Sequence, residues 1–330
     1  MSKILSIYGV CGWDIEIEWL HSSGCSLWID GKHECTISEE RLSKIKYDGN
    51  FPRLSIDYCL DNAQLKKEDI DIVCYTHNLH STFRQDSIIK ILTRFFENSK
   101  IFFSDHHESH CYYSFFSSPF EKSSIISIDG AGNSFNTVIP NFRTHENAIY
   151  AIGDRLNKKI NVLYHSINGL YEYTTFNICQ VYNIISRYIY SKIEPEKTKK
   201  IKNVYLFMES APGKIMGLGA YGNYKNVDLE DLWKIKENFY FPIILDNYIP
   251  NNSQLDYYSP EDLAAWLQKQ FEYILFRYFQ ILKNKNLIEN NLCIGGGLGL
   301  NILSNSKLLE LFENVWVPSA PNDVGLILGG

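Results

Sequence analysis

Short apolar runs broken by polar turns fill the first third of the chain. "KILSIYGV" reads as a buried strand, and "CSLWIDGKHECTI" as two strands joined by Asp30-Gly31. That dipeptide tolerates the positive φ that a two-residue hairpin turn requires. "FPRLSIDYCLDNA" carries apolar residues at helical spacing. "IDIVCYTH" is a strand, "DSIIKILTRFFENS" an amphipathic helix and "KIFFS" another strand. Asp105 then stands as a helix cap with Glu108 three residues on, the pattern of a capping box. The helix it starts is predicted from about His106 to Ser117, stopping before Pro119.

Beyond it, "SSIISIDGAGNSFNTVIP" predicts a strand, a glycine turn and a second strand, and "AIYAIGD" and "KINVLYH" predict two more. "SINGLYEYTTFNICQVYNIISRYIYSKI" reads as mostly helical, "EPEKTKKIKN" as a charged, solvated segment, and residues 222–258 as a polar, irregular loop. Ser259, Pro260, Glu261 and Asp262 open a helix that runs to about Lys283. "NLCIGGGLGLNILSNSKLLELF" is strand, glycine loop, helix; "NVWVPSAPNDVGLILGG" is a strand, a turn and the start of a helix. A strand, a glycine turn and a hairpin begin near residue 4, and similar elements return near residue 124. The order predicts an α/β protein of two related lobes, 1–120 and 121–330.

Composition agrees with two lobes. The chain has 330 residues, 45% hydrophobic and 14% aromatic, more than one lobe usually buries. A net charge of -6 gives no footprint for nucleic acid. The eight cysteines include no CxxC pair and are read as reduced, mostly buried thiols of a cytoplasmic protein. The opening apolar run is too short for a signal peptide. No run approaches the ~18 consecutive apolar residues of a membrane span.

The concentrated chemistry is "SDHHESHC", where three of the nine histidines fall within residues 106–110. On a helix, residues four apart share a face, so His106 and His110 point the same way while His107 points elsewhere. Two imidazoles so placed can reach one metal ion; the plainer alternative is a set of capping and surface histidines. A metal also needs carboxylates. Asp129 in "SIDGAGN" and Asp323 in "APNDVG" sit beside glycine near strand ends, where the alternative role is a turn residue or helix cap.

"CIGGGLGLN" can bring backbone amides of Gly295, Gly296 and Gly297 close to a phosphate or nucleoside, or it can be a tight strand-to-helix turn. It lacks the third glycine of a dinucleotide fingerprint, and no P-loop is present. "GKIMGLGAYG" places glycines around Lys214 and suggests a wall of a ligand cleft or a loop connection. Arg41, Lys44 and Lys46 read as a solvated face rather than an anion site.

Taken in order, "HSSGCSLWIDGK", "SEERLSKIKYDGNFP", "DHHESHCYYSFFSSPF", "SIDGAGN", "GKIMGLGAYG", "GGGLGLNILSN" and "VPSAPNDVGLILGG" resemble the O-carbamoyltransferases of nodulation-factor and antibiotic biosynthesis over nearly the whole chain. The resemblance implies the two-lobed fold of actin, Hsp70 and sugar kinases, similar to the tRNA threonylcarbamoyl-transfer subunit. It implies ATP with Mg2+ and carbamoyl phosphate as inputs, carbamoyl-adenylate as intermediate, and a sugar or natural-product hydroxyl as acceptor. It implies a divalent metal, Fe2+ by preference with Zn2+ or Mn2+ as alternatives, on His106, His110, Asp129 and Asp323. The resemblance also places Gly295, Gly296 and Gly297 at the adenosine; Asn301 and Lys214, in the matching glycine-rich motifs, complete the expected cofactor-binding set. His21 falls where the family has a functional histidine, and is the expected general base. The family pattern there is His-Asp-Ala-Ser; this chain has His21-Ser22-Ser23-Gly24, without the aspartate. Family members continue past "DVGLILGG" into a second, adenylate-forming domain, which is expected on a longer chain or a separate partner.

Three other readings compete. A kinase of the same superfold calls for magnesium-binding acids rather than imidazoles. A tRNA-modifying subunit calls for a basic patch. A non-catalytic or incomplete fragment would lack transferase activity.

Overall fold

The computed structural model describes residues 2–9, 22–77, 82–130, 132, 134–136, 143–168, 178–200, 204–236 and 244–330. The first sheet contains β1 (Lys3–Tyr8), β2 (Gly24–Ile29), β3 (Lys32–Ser38), β4 (Ile72–His77) and β5 (Lys100–Asp105), in the order β3-β2-β1-β4-β5. β1, β4 and β5 run parallel, whereas β2 and β3 form an antiparallel hairpin on β1. Asp30 (φ 49°) and Gly31 (φ 74°) turn that hairpin, as the dipeptide predicts. Helices α1 (Glu39–Ser43), α2 (Arg53–Asn62) and α3 (Thr82–Phe95) accompany the sheet. Leu5, Ile7, Leu27 and Val73 of the strands pack with Ile56 of α2 and Leu92 of α3.

Helix α4 (His106–Phe116) leaves the carboxyl end of β5, and Asp105 caps it by accepting from the Glu108 amide at 3.2 Å. It packs against the second sheet, burying Cys111 and Phe115 against Ile125, Ile149, Ala151 and Cys293. That sheet contains β6 (Lys122–Ile128), β7 (Ser134–Asn136), β8 (Arg143–Asp154), β9 (Lys159–Asn168), β12 (Asn291–Gly295) and β13 (Asn314–Trp316). Its order is β13-β12-β6-β8-β7, with β9 also on β8; β13, β12 and β6 are parallel. A separate hairpin joins β10 (Trp233–Lys236) to β11 (Ile244–Asn247).

The opposite face of the second sheet is covered by helices. α5 (Ile178–Ile193), α7 (Val204–Leu218) and α9 (Pro260–Asn284) bury Val181, Ile185, Ile189, Ile215, Phe271 and Phe279 in the largest apolar cluster. Ser259 caps α9 through the Asp262 amide at 3.1 Å. The shorter helices are α6 (Pro195–Lys200), α8 (Asn252–Leu255), α10 (Ile302–Lys307) and α11 (Leu326–Gly329). α11 returns to the first sheet, where Leu326 and Ile327 bury Tyr8 and the Ile327 carbonyl accepts from Ser26 Oγ at 2.5 Å.

Several expectations are corrected. Ser166–Asn168 belong to β9, because pairing of Ser166 with Ala148 extends the ladder past the expected helix start. Residues 222–258 contain a hairpin and α8; Trp233, buried against Phe271, organises a segment whose composition is mostly polar. The charged segment after α5 is itself helical at Pro195–Lys200. "GKIMGLGAYG" continues α7 as far as Leu218, since burial of Ala211 and Ile215 outweighs the weak helix propensity of its glycines. Among the described residues no cysteine is in a disulfide, though Cys59 Sγ lies 3.1 Å from Cys35 Sγ; Cys11 lies outside them. Among the described residues no helix is long and apolar enough to cross a membrane.

Two contacts generate predictions. Gly153 on β8 lies so close to Phe115 that a Cβ there would stand 2.7 Å from the ring. Gly153→Ala should therefore lower unfolding free energy by about 1–3 kcal/mol in a urea titration, as overpacking does. On β9, His165 Nδ1 is 2.6 Å from Oε1 of buried Glu146. That hydrogen bond, with smaller contributions from Asp105 and Glu108, holds the His165 pKa above its ordinary value against partial burial. The stabilisation should be complete below about pH 6.5 and fade as pH rises through the raised pKa. Because the ring is partly exposed, the melting advantage of wild type over His165→Gln should correspond to less than about 1 kcal/mol, and should shrink between neutral and alkaline pH.

Candidate metal centre

The parallel strands of both sheets send their carboxyl ends toward the seam where α4 passes from one sheet to the other. His106 and His110 occupy successive turns of α4 and are buried, 0% and 1% exposed. Asp129 follows β6, and Asp323 opens the short 3-10 turn that precedes α11. One nitrogen or carboxylate oxygen from each of these four residues lies within 4.8 Å of every other. His110 Nε2 is 3.4 Å from Asp129 Oδ2 and 3.5 Å from Asp323 Oδ1, and His106 Nε2 is 3.6 Å from the same Asp323 oxygen. The structure thus brings the expected quartet together from three distant stretches of sequence.

The carboxylates are held by neighbours. Asp129 Oδ2 accepts from the Gly297 amide at 3.1 Å and Oδ1 from its neighbour Gly130 at 2.6 Å. Tyr8 OH donates to Asp323 Oδ2 at 2.9 Å. These bonds leave Asp323 Oδ1 directed at the imidazoles. Among the described residues, neither nitrogen of the buried His110 ring has a hydrogen-bond partner; 3.4–3.5 Å is longer than a charge-assisted bond.

The electrostatics follow from burial and the two acids. Desolvation pulls the His110 pKa down, but contacts with Asp129 and Asp323 outweigh it and hold the pKa up at about 9. His106 is lowered, chiefly by burial. His107 is held well below its ordinary value by burial and by the other two imidazoles, and its Nδ1 meets Ser127 Oγ at 2.8 Å. Two carboxylates therefore place a negative field beside His110 that favours a positive charge there.

The donor set fits a divalent metal. Four N and O ligands about 2.1 Å from one ion stand roughly 3.4 Å apart in a tetrahedral arrangement. Three of the six pairwise separations, 3.4–3.6 Å, are close to that spacing, and all six lie within 4.8 Å.

Of the other expected residues, the glycine run adjoins this quartet, whereas Asn301 and Lys214 are engaged in contacts elsewhere. Gly295 ends β12 and leads through Gly296 and Gly297 into a turn that approaches its neighbours closely. A Cβ on Gly295 would stand 2.9 Å from the His110 carbonyl, and one on Gly296 (φ 75°) 2.4 Å from that of Ile128. The turn presses against α4 and β6 and delivers the Gly297 amide to Asp129. Asn301 caps α10 through the Ser304 amide and exchanges hydrogen bonds with Gln268. Lys214 is exposed on α7, its Nζ donating to Tyr190 OH at 2.9 Å. His21 lies outside the described residues. Sequence reasoning missed Tyr8 and Ser127, although Tyr8 ends the first strand, at the same kind of edge that drew attention to Asp129.

Comparison with known proteins shows the chain's family. Residues 81–330 match the family model described as carbamoyltransferase N-terminus. The chain is 26% identical to nodulation protein NolNO of Sinorhizobium fredii over 355 aligned residues, covering 96% of this chain and 46% of that one. It is 61% identical to nodulation protein U of the same organism over 88 residues, 26% of this chain and 16% of that one. The chain spans about half the length of the curated relatives that it matches end to end. Among solved structures, HypF of T. kodakarensis superposes with a TM-score of 0.54 at 12% identity, covering 99% of this chain and 47% of that one. This last likeness concerns the fold alone. With the matched region covering α4, Asp129, the glycine turn and Asp323, the chain belongs to the carbamoyltransferase N-terminus family.

Proposed function

We propose that this chain is the transfer half of an O-carbamoyltransferase. It takes a carbamoyl group, derived from carbamoyl phosphate and presented as carbamoyl-adenylate, and passes it to a hydroxyl of a sugar or natural-product acceptor. The observation that carries this reading is the largely buried His106–His110–Asp129–Asp323 quartet within a chain of this family. We assign these four residues as ligands of a divalent metal, iron(II) by preference. The two sheets are read as two lobes, 1–120 and 121–330, of the actin-like superfold, and the adenylate-forming step as belonging to another domain or partner, as the half-length match suggests.

A carbamoyl carbonyl is a poor electrophile because its nitrogen donates into it, and attack by a hydroxyl builds negative charge on its oxygen. A bound divalent metal supplies a Lewis acid for that charge. The chain's own residues do the rest. Gly297 and Gly130 amides fix the Asp129 carboxylate, and Tyr8 fixes Asp323, so both acids are oriented before any ligand arrives. Burial of both imidazoles lowers the local dielectric and strengthens the charge interactions they make. The glycine turn is assigned to the adenosine side, with Lys214 and Asn301 on the nucleotide's flanks, so that remote binding positions the reacting carbon. His21 is assigned as the base that takes the acceptor hydroxyl proton.

Metal analysis of the purified protein should find close to one divalent ion per chain. His110→Ala should lose metal affinity by more than the ~10–100-fold typical of an outer-shell change; equal metal in both proteins would reject the ligand assignment. With chemically made carbamoyl-adenylate, the metal-loaded protein should add the mass of one carbamoyl group to a hydroxyl acceptor, and His110→Ala should not. Persistent absence of that gain from the full-length protein across sugar acceptors would favour a non-catalytic role.

A further inference from the structure

Asn147 is a polar side chain that neither the fold nor the quartet uses. It is 0% exposed, and among the described residues neither its Nδ2 nor its Oδ1 has a hydrogen-bond partner. A buried carboxamide without a hydrogen-bond partner among the described residues is destabilising unless something else satisfies it, so its presence asks for a reason.

Its position is set by the ladder. β6 and β8 pair without interruption as far as Ile128 opposite Ala148. The next rung is the Asp129 amide, which donates to the Asn147 carbonyl at 3.1 Å. Asn147 is therefore the cross-strand neighbour of Asp129, and such neighbours have Cβ atoms about 4.5–5.5 Å apart. Further along β8, Ile149 and Ala151 pack with Cys111 and Phe115 of α4. Cross-strand partners share a face of the sheet, so Asn147 stands on the face of Asp129, the one that carries the quartet. Toward β9 the strand bulges at this residue: Glu146 pairs with Ile167 and Ala148 with Ser166, which leaves Asn147 as the inserted residue. Bulges beside active sites commonly re-aim one side chain.

We propose that Asn147 recognises the amide end of the transferred group, its Nδ2 donating to the carbamoyl oxygen and its Oδ1 accepting from the carbamoyl NH2. This rests on the carbamoyl-transfer reading above. A carbamoyl group is planar, with an acceptor oxygen beside a donor nitrogen, and a carboxamide presents the same pair reversed. The fit distinguishes carbamoyl from acyl groups of equal size, because an acetyl group in its place leaves Oδ1 buried and unpaired. Adenine offers a similar donor–acceptor edge, but the rung shared with Asp129 puts Asn147 at the reacting end.

Two unreactive adenosine esters test this: the 5′-phosphonoacetamide, which mimics carbamoyl-adenylate, and the 5′-(2-oxopropyl)phosphonate, in which methyl replaces the amide nitrogen. Titration calorimetry on the metal-loaded wild type should show at least ~10-fold tighter binding of the amide. Asn147→Leu, which keeps the branched skeleton, and Asn147→Ser, which is smaller, should bind both esters alike with metal content unchanged. Asn147→Leu should also melt at or above the wild-type temperature, since it removes an unsatisfied polar group. Equal binding of the two esters by wild type, preference retained in both variants, or a melting temperature several degrees lower in both would overturn the Asn147 assignment alone. Binding of neither ester by wild type would overturn the transfer reading together with it.

Discussion

Two carboxylates facing two buried imidazoles cannot be left without a positive charge between them. Asp129 and Asp323 approach His110 within 3.5 Å in a largely buried seam, and the cost of isolated charge there is larger than on a surface. A cation among the four residues would offset that cost, and the cluster has the capacity to hold a divalent metal. The arrangement of strands, turn and returning helix around the seam can be understood as the means of bringing those groups to one point.

Each contributing element arrives from a different part of the chain. α4 starts at the first sheet and packs on the second through Cys111 and Phe115. The glycine turn after β12 closes onto Ile128 and His110 and orients Asp129. The segment from β13 to α11 carries Asp323 back to Tyr8 of the first strand. A change in any of these contacts would reach the site through packing rather than through the ligands. That is the sense in which residues such as Tyr8 matter to the chemistry without taking part in it.

Much of this was legible in the sequence, for identifiable reasons. Asp105 as a cap fixes the start of α4, and helical spacing then aligns His106 with His110. Asp129 and Asp323 stand out because each adjoins a glycine near a strand end. Other features leave no local trace. Tyr8 and Asn147 belong to ordinary strand patterns, and only tertiary pairing shows that one holds an aspartate and that the other's buried side chain has no hydrogen-bond partner among the described residues. The glycine run reads equally as a ligand cradle or a tight turn; coordinates reveal that its backbone packs directly against a helix and a strand. The hairpin at Trp233–Asn247 depends on burial of one tryptophan against Phe271, which a polar composition conceals.

X-ray absorption at the metal edge, with anomalous diffraction from crystals of the protein as purified, tests the central claim most directly. The account predicts one ion enclosed by His106, His110, Asp129 and Asp323, with mixed nitrogen and oxygen coordination. An ordered, folded protein with those four side chains in contact and no ion among them, even after incubation with iron(II), zinc and manganese, would contradict it.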